Sequence, residues 1–118
     1  MARAHRRLIL SIVHTDRTFE RFASGERESW AGKCIPSNAH LHVALDGEPI
    51  SRATVEHILP RSHGGTDAPE NLALACARCN HQKGRRHDVR RRGDPKLMQL
   101  VERLLEKRRE RWREPEDA

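Results

Sequence analysis

Residues 53–86 read ATVEHILPRSHGGTDAPENLALACARCNHQKGRR, and the fold turns on how this stretch is read. With the three residues before it, the start gives ISRATVEHIL, residues 50–59, which reads as a strand. Alternation places Val55, His57 and Leu59 on one face, and Glu56 and Ile58 on the other. Pro60 ends the strand because it has no amide donor. Residues 62–70, SHGGTDAPE, are loop chemistry throughout. NLALA, residues 71–75, is short and apolar and reads as a further strand. A helix is expected from about Ala77 through Arg86, weakened by Gly84 at roughly 1 kcal/mol relative to Ala.

Upstream, Leu41, Val43 and Leu45 share one side of a strand, and Asp46-Gly47 is a hairpin signal. That predicts a hairpin in which residues 50–59 return against residues 41–45. Further upstream, Leu8 to Val13 is apolar but too short and too quickly interrupted for a signal peptide. It reads as a buried strand or helix segment. TDRTFERFASGERESW, residues 15–30, carries Phe19, Phe22 and Trp30 and predicts one or two short helices capped by Thr15 or Asp16. Downstream, Asp94 can cap and Pro95 suits the first position of a helix. Leu97, Leu100, Val101, Leu104 and Leu105 recur at helical spacing behind them. The glutamates and arginines of EKRRERWRE predict a solvated face of i,i+4 ion pairs, or a face toward DNA phosphates. The chain therefore divides into an N-terminal helical or strand extension (1–30), a core (31–92) and a C-terminal amphipathic helix (93–118), within one compact domain.

The 118 residues set the scale of a single domain, and the net charge of +6 favours a polyanionic partner. Aromatics make up only 3% of the chain, which leaves no stacking platform for single strands and favours duplex DNA. No apolar run approaches the ~18 residues of a membrane span, so no membrane role is expected. The three cysteines cannot all pair, and a Cys-x-x-Cys in a basic chain points to metal in a cytoplasmic setting.

Two sets of residues carry chemistry. Cys76 and Cys79 have the spacing of a zinc knuckle, and Cys34 is a natural third ligand. Ser37 stands where a second Cys-x-x-Cys would complete the site. His40, ahead of His42, is the expected replacement, so structural Zn²⁺ is an expectation that Ser37 weakens. The second set is His57, Glu56, Asn80 and Asn71. Imidazole suits general-base work on a water. A glutamate and an amide carbonyl offer hard oxygens for Mg²⁺ or Mn²⁺. Convergence requires the strand to twist or end near Pro60, because alternation separates neighbours. Asn71 can tie down the loop backbone and so fix His57. Taken singly, a histidine is usually structural or solvated, and His63 and His81 are read that way.

Taken together, these residues form an ordered pattern. It runs Glu56-His57-Ile58-Leu59-Pro60, Gly64-Gly65, Asn71-Leu72, Cys76-Ala77-Arg78-Cys79-Asn80, Lys83-Gly84. The pattern resembles the HNH endonucleases across roughly residues 30–86. The resemblance implies an α+β protein with a ββα-metal (HNH or His-Me finger) core flanked by N-terminal and C-terminal helices. It implies His57 as general base, Glu56 and Asn80 as ligands of one Mg²⁺ or Mn²⁺ ion, and Asn71 as orienter. Ni²⁺ or Zn²⁺ would substitute in vitro. Glu56 departs from the commoner Asp by one methylene. The implied activity is hydrolysis of DNA phosphodiester bonds, in a bacterial or phage setting.

Arg61, Arg78, Lys83, Arg85 and Arg86 are the expected DNA contacts, in a run through Arg92 whose one acid is Asp88. Two rival readings stand beside this one. The first is a non-catalytic, zinc-ribbon-like DNA-binding module. The second is an interaction protein that docks, or dimerises, through the C-terminal helix.

Overall fold

The computed structural model describes residues 3–50 and 52–115. Helix α1, Arg3–His14, comes first, and its Ile9, Ile12 and Val13 are buried at helical spacing. The apolar run at Leu8–Val13 is therefore helical. Asp16 then accepts from the N–H and the hydroxyl of Thr18, at 2.8 Å each, and reverses the chain.

Strands β1 (Glu20–Ser24), β2 (Arg27–Lys33), β3 (His40–Ala44) and β4 (Pro49–Ile50) form an antiparallel meander in that order. This corrects the helices expected between Thr15 and Trp30. Phe19 and Phe22 stand at helical spacing, yet Phe19 is fully buried and Phe22 is 46% exposed. The two sit on opposite sides of a structure whose period is two. Gly32 opposite makes room for Phe19, since a Cβ there would lie 2.4 Å from its ring.

Strands β5 (Ala53–His57) and β6 (Leu72–Cys76) form a separate antiparallel pair, with Glu56 opposite Ala73 and His57 opposite Leu72. The Asp46-Gly47 turn forms as expected, with Gly47 at φ 94. Its return strand is only Pro49–Ile50, however, and β5 pairs with β6 rather than with β3. Ser51 of the expected return strand lies outside the described residues. Strand β6 is buried from Leu72 to Ala75 and so gives β5 a more apolar partner than β3 does.

Helix α2, Ala77–Lys83, follows β6 directly and continues as a π-helical turn, Gly84–Asp88. The chain thus contains a strand–strand–helix unit inside a mixed α+β protein. Helix α3, Pro95–Glu110, starts as expected, with the Asp94 carboxylate accepting from the N–H groups of Lys96 and Leu97.

The apolar stripe of α3 is used internally, because Leu97, Val101 and Leu104 join the core with α1 and β6. That stripe is therefore occupied within the chain, and a second copy or larger partner would meet the helix on its exposed side. Glu106, Arg109 and Glu110 form the exposed face expected of the stretch, but Arg108, Arg111 and Arg113 turn inward. Arg108 is 1% exposed and donates to Leu72 O at 2.7 Å, Thr15 O at 2.8 Å and Thr15 Oγ1 at 2.6 Å. Arg111 donates to Lys33 O and Asn38 Oδ1, and Arg113 to Val13 O and Phe19 O. These guanidiniums tie the ends of α1, β2 and β6 to the end of α3.

Candidate active site and thiol cluster

Strand β5 stays paired through His57, so Glu56 and His57 point to opposite faces of the hairpin. Helix α2 covers the Glu56 face. Asn80 and Lys83, one turn apart on α2, face Thr54 and Glu56, two residues apart on β5. Asn80 Nδ2 donates to Thr54 Oγ1 at 3.1 Å and to Val55 O at 3.0 Å. With Nδ2 so engaged, the amide's open acceptor is Oδ1.

Glu56 is 2% exposed. Its Oε1 lies 2.8 Å from Lys83 Nζ, and its Oε2 is buried with no hydrogen-bond partner among the described residues. Burial pushes the carboxyl above its ordinary range against the pull of Lys83. Lys83, 4% exposed, also meets Asp88 Oδ1 at 2.7 Å and donates to His57 O at 3.2 Å. Its three protons are all taken. Lys83 is therefore a buried strut and does not reach DNA, which corrects its place among the expected contacts. The π-helical turn brings Asp88 back under Lys83.

The other face presents His57 to the loop. Its Nε2 lies 2.7 Å from Asp67 Oδ1, and Arg61 Nε is 3.2 Å from the same nitrogen. Arg61 Nη2 holds both Asp67 oxygens, at 2.8 and 2.9 Å. The bonds from His57 and Arg61 hold the Asp67 carboxyl below its ordinary range.

Asn71 ties the loop closed. Its Oδ1 accepts from Leu59 N at 2.8 Å, and its Nδ2 donates to Leu59 O at 3.0 Å and Thr66 O at 2.9 Å. The tie demands a tight approach at Gly65, where a Cβ would fall 1.7 Å from Leu59 O. His63, expected to be solvated, is part-buried, with Nε2 2.8 Å from Asp88 O.

Beneath the other end of α2, the sulfurs of Cys34, Cys76 and Cys79 lie within 4.8 Å of one another. A tetrahedral zinc with bonds of about 2.3 Å separates sulfurs by roughly 3.8 Å, so three ligands fit. Cys76 caps α2, and its sulfur accepts from Cys79 N. Burial raises the Cys76 thiol, but the Cys79 N–H, the Cys79 and Cys34 thiols and the Arg78 N–H together outweigh it and leave it lowered. Burial pushes the Cys79 thiol up to about 11. His40 does not join the cluster as expected. It is exposed on β3 and lines the same cleft as Ser37, Arg52, Cys76 and Cys79.

Residues 41–86, from β3 into the π-helical turn, match the family model described as HNH endonuclease. This segment is an HNH domain. No curated protein and no solved structure matches the chain. The HNH segment contains Glu56, His57, Asn71 and Asn80, whereas Cys34 comes from outside it.

Two further acids stand at the site, Asp67 inside the HNH segment and Asp88 two residues beyond it. Asp67 was absorbed into a loop of turn-formers. Asp88 had a visible signal, being the one acid in a run of arginines. Arg61, Arg78, Arg85 and Arg86 are all exposed. No helix of the described residues is long and apolar enough to cross a membrane.

Proposed function

We propose that this chain is a divalent-metal-dependent endonuclease that hydrolyses DNA phosphodiester bonds, and that the β5–β6–α2 unit is a ββα-metal core. The observation that carries the reading is the Asn80 amide locked onto Val55 O, one residue before Glu56. It holds the amide oxygen on the Glu56 face of β5, while the His57 imidazole, from the strand's last residue, stands on the other face, so a phosphate must sit at the end of the strand to meet both.

Glu56 and Asn80 would hold the ion, Mg²⁺ or Mn²⁺. The fit rests on Glu56 Oε2, a buried oxygen without a partner, since such an atom costs about 1–3 kcal/mol unless something meets it. A bound ion would supply charge to stabilise the phosphate and the departing 3′-oxygen. His57 takes the proton of the attacking water as general base. Asn71 keeps Leu59 and Thr66 in place so that the loop presents a fixed wall beside His57. Arg61, Arg78, Arg85 and Arg86 receive duplex phosphates without reading sequence, so binding falls steeply with salt. Cys34, Cys76 and Cys79 would hold a structural zinc, and His40, which lines the same cleft, would have to move in to complete it.

One observation favours a second reading, the non-catalytic DNA-binding module: Glu56 already has a cationic partner in Lys83 and is 2% exposed. Supercoiled plasmid separates the two. The wild type is expected to nick it with Mg²⁺ or Mn²⁺, and His57→Ala to lower the rate by about 10²–10⁴-fold. Salt-dependent DNA binding without nicking by any divalent metal would establish the module instead.

For zinc, metal analysis of the purified protein is expected to give one equivalent, lost in Cys76→Ser. Chelation is expected to lower Tm, because a ligand at 1,000 times its Kd adds about 4 kcal/mol of stability. His40→Ala that keeps zinc at full occupancy would remove His40 from the site.

A further inference from the structure

The contact that ordinary strand-and-helix packing does not account for is the one at the outer face of His57. Three groups meet there: the imidazole, the Asp67 carboxylate and the Arg61 guanidinium. Both neighbours approach the same ring nitrogen, Nε2, and their demands are opposite. Arg61 Nε–H needs a lone pair on it, and Asp67 needs a proton on it.

The distances decide between them. At 2.7 Å, a lone pair facing a carboxylate oxygen would be repulsive, so the proton lies between Nε2 and Oδ1. Arg61 Nε, at 3.2 Å, is then a neighbour of the pair, and its real hydrogen bonds are those of Nη2 to both carboxylate oxygens.

We infer that Asp67 is a positioning residue for His57: it fixes the neutral ring as the Nε2–H tautomer and leaves Nδ1 as the basic atom. The catalytic consequence rests on the nuclease reading above, while the tautomer rests on the contacts alone. In the reaction Nδ1 accepts the proton of the attacking water, the water oxygen bonds to phosphorus as the bond to the 3′-oxygen breaks, and Nε2 keeps its own proton toward Asp67. The departing 3′-oxygen takes a proton from solvent.

The same geometry gives Asn71 its route to the base. Its side chain holds Thr66 O, and its backbone N–H bonds Ala68 O at 2.8 Å. Asp67 is the residue between those two anchors. Asn71 thus sets Asp67, and Asp67 sets the ring. Arg61 acquires a second duty beside any phosphate contact, which is to hold the carboxylate square to the imidazole.

The test is ¹⁵N NMR of the neutral His57 ring in the protein as purified, without added Mg²⁺ or Mn²⁺, joined to plasmid nicking. The wild type is expected to show the Nε2–H pattern and Asp67→Ala a mixture of tautomers. Arg61→Ala keeps the tautomer. Asp67 is half-exposed, so its replacement is expected to leave the circular dichroism and Tm unchanged.

In nicking assays Asp67→Ala is expected to lower kcat by about 10–100-fold, the range seen when the carboxylate orienting a metal-bound histidine is removed. DNA affinity is expected to change less than about twofold, which separates positioning from binding. A wild-type ring protonated at Nδ1, or an Asp67→Ala protein with the wild-type tautomer, overturns the assignment. If the tautomer shifts as expected but the wild type nicks nothing, the nuclease reading fails and the Asp67–His57 pair stands. If the tautomer shifts and Asp67→Ala nicks at the wild-type rate, the positioning role is wrong.

Discussion

Lys83 makes plain what a single residue's surroundings can change. In the sequence it is one cation among arginines; in the fold it is a buried ammonium shared by Glu56, Asp88 and a backbone carbonyl. Removing it strands a buried carboxylate. Lys83→Met is expected to destabilise the fold by about 3–5 kcal/mol in denaturant titrations. Glu56→Gln in the same chain should restore much of that loss, as a double-mutant cycle would measure. A Lys83→Met protein of wild-type stability that only binds DNA less tightly would return Lys83 to the DNA face. Residue identity was legible for His57, Asn71 and Asn80, because few roles need those types in that order. Burial was not legible, since nothing local distinguishes a lysine that reaches solvent from one that α2 folds inward.

Among the elements, the loop between β5 and β6 carries the most precise expectation. Gly64 and Gly65 look alike in sequence and differ in what they meet. Gly64 sits at φ 90 with open space around it, and Gly65 packs its Cα against Leu59 O. Gly64→Ala is expected to cost about 1–2 kcal/mol, the price of a left-handed L-residue. Gly65→Ala must move backbone, so it is expected to cost more than Gly64→Ala and to loosen the Asn71 tie, which faster amide exchange at Leu59 would report. Equal costs at the two positions would contradict this account. Helix α3 was legible to its first residue, because Asp94 and Pro95 act locally. The β1–β2 hairpin was not, because Phe19 and Phe22 carry a helix-like spacing that only the packing of Phe19 over Gly32 resolves.

At the scale of the molecule, Arg108 joins regions far apart in the chain. It lies over the Trp112 ring at 5.0 Å and reaches Thr15 and Leu72. Arg108→Met is expected to lower stability by about 3–5 kcal/mol, since buried carbonyls lose their donors. Truncation after Gly93 removes Arg108 together with Leu97, Val101 and Leu104, and is expected to abolish cooperative unfolding by calorimetry. A truncated chain that still unfolds cooperatively would mean the core does not need α3.

The sequence by itself determined the strand–loop–strand–helix order of residues 53–86, the helix cap at Asp94, the cysteine trio and the identity of the catalytic candidates. Those features depend on residue types at short, ordered spacings. Only the tertiary structure decided that β5 pairs with β6, that Lys83 is inside, that Asp67 meets His57, and that Arg108, Arg111 and Arg113 serve the chain's own carbonyls. Each of these depends on which distant groups compete for the same space and the same hydrogen bonds. That competition is settled by packing the whole chain, where burial decides which charges keep water and which must find partners.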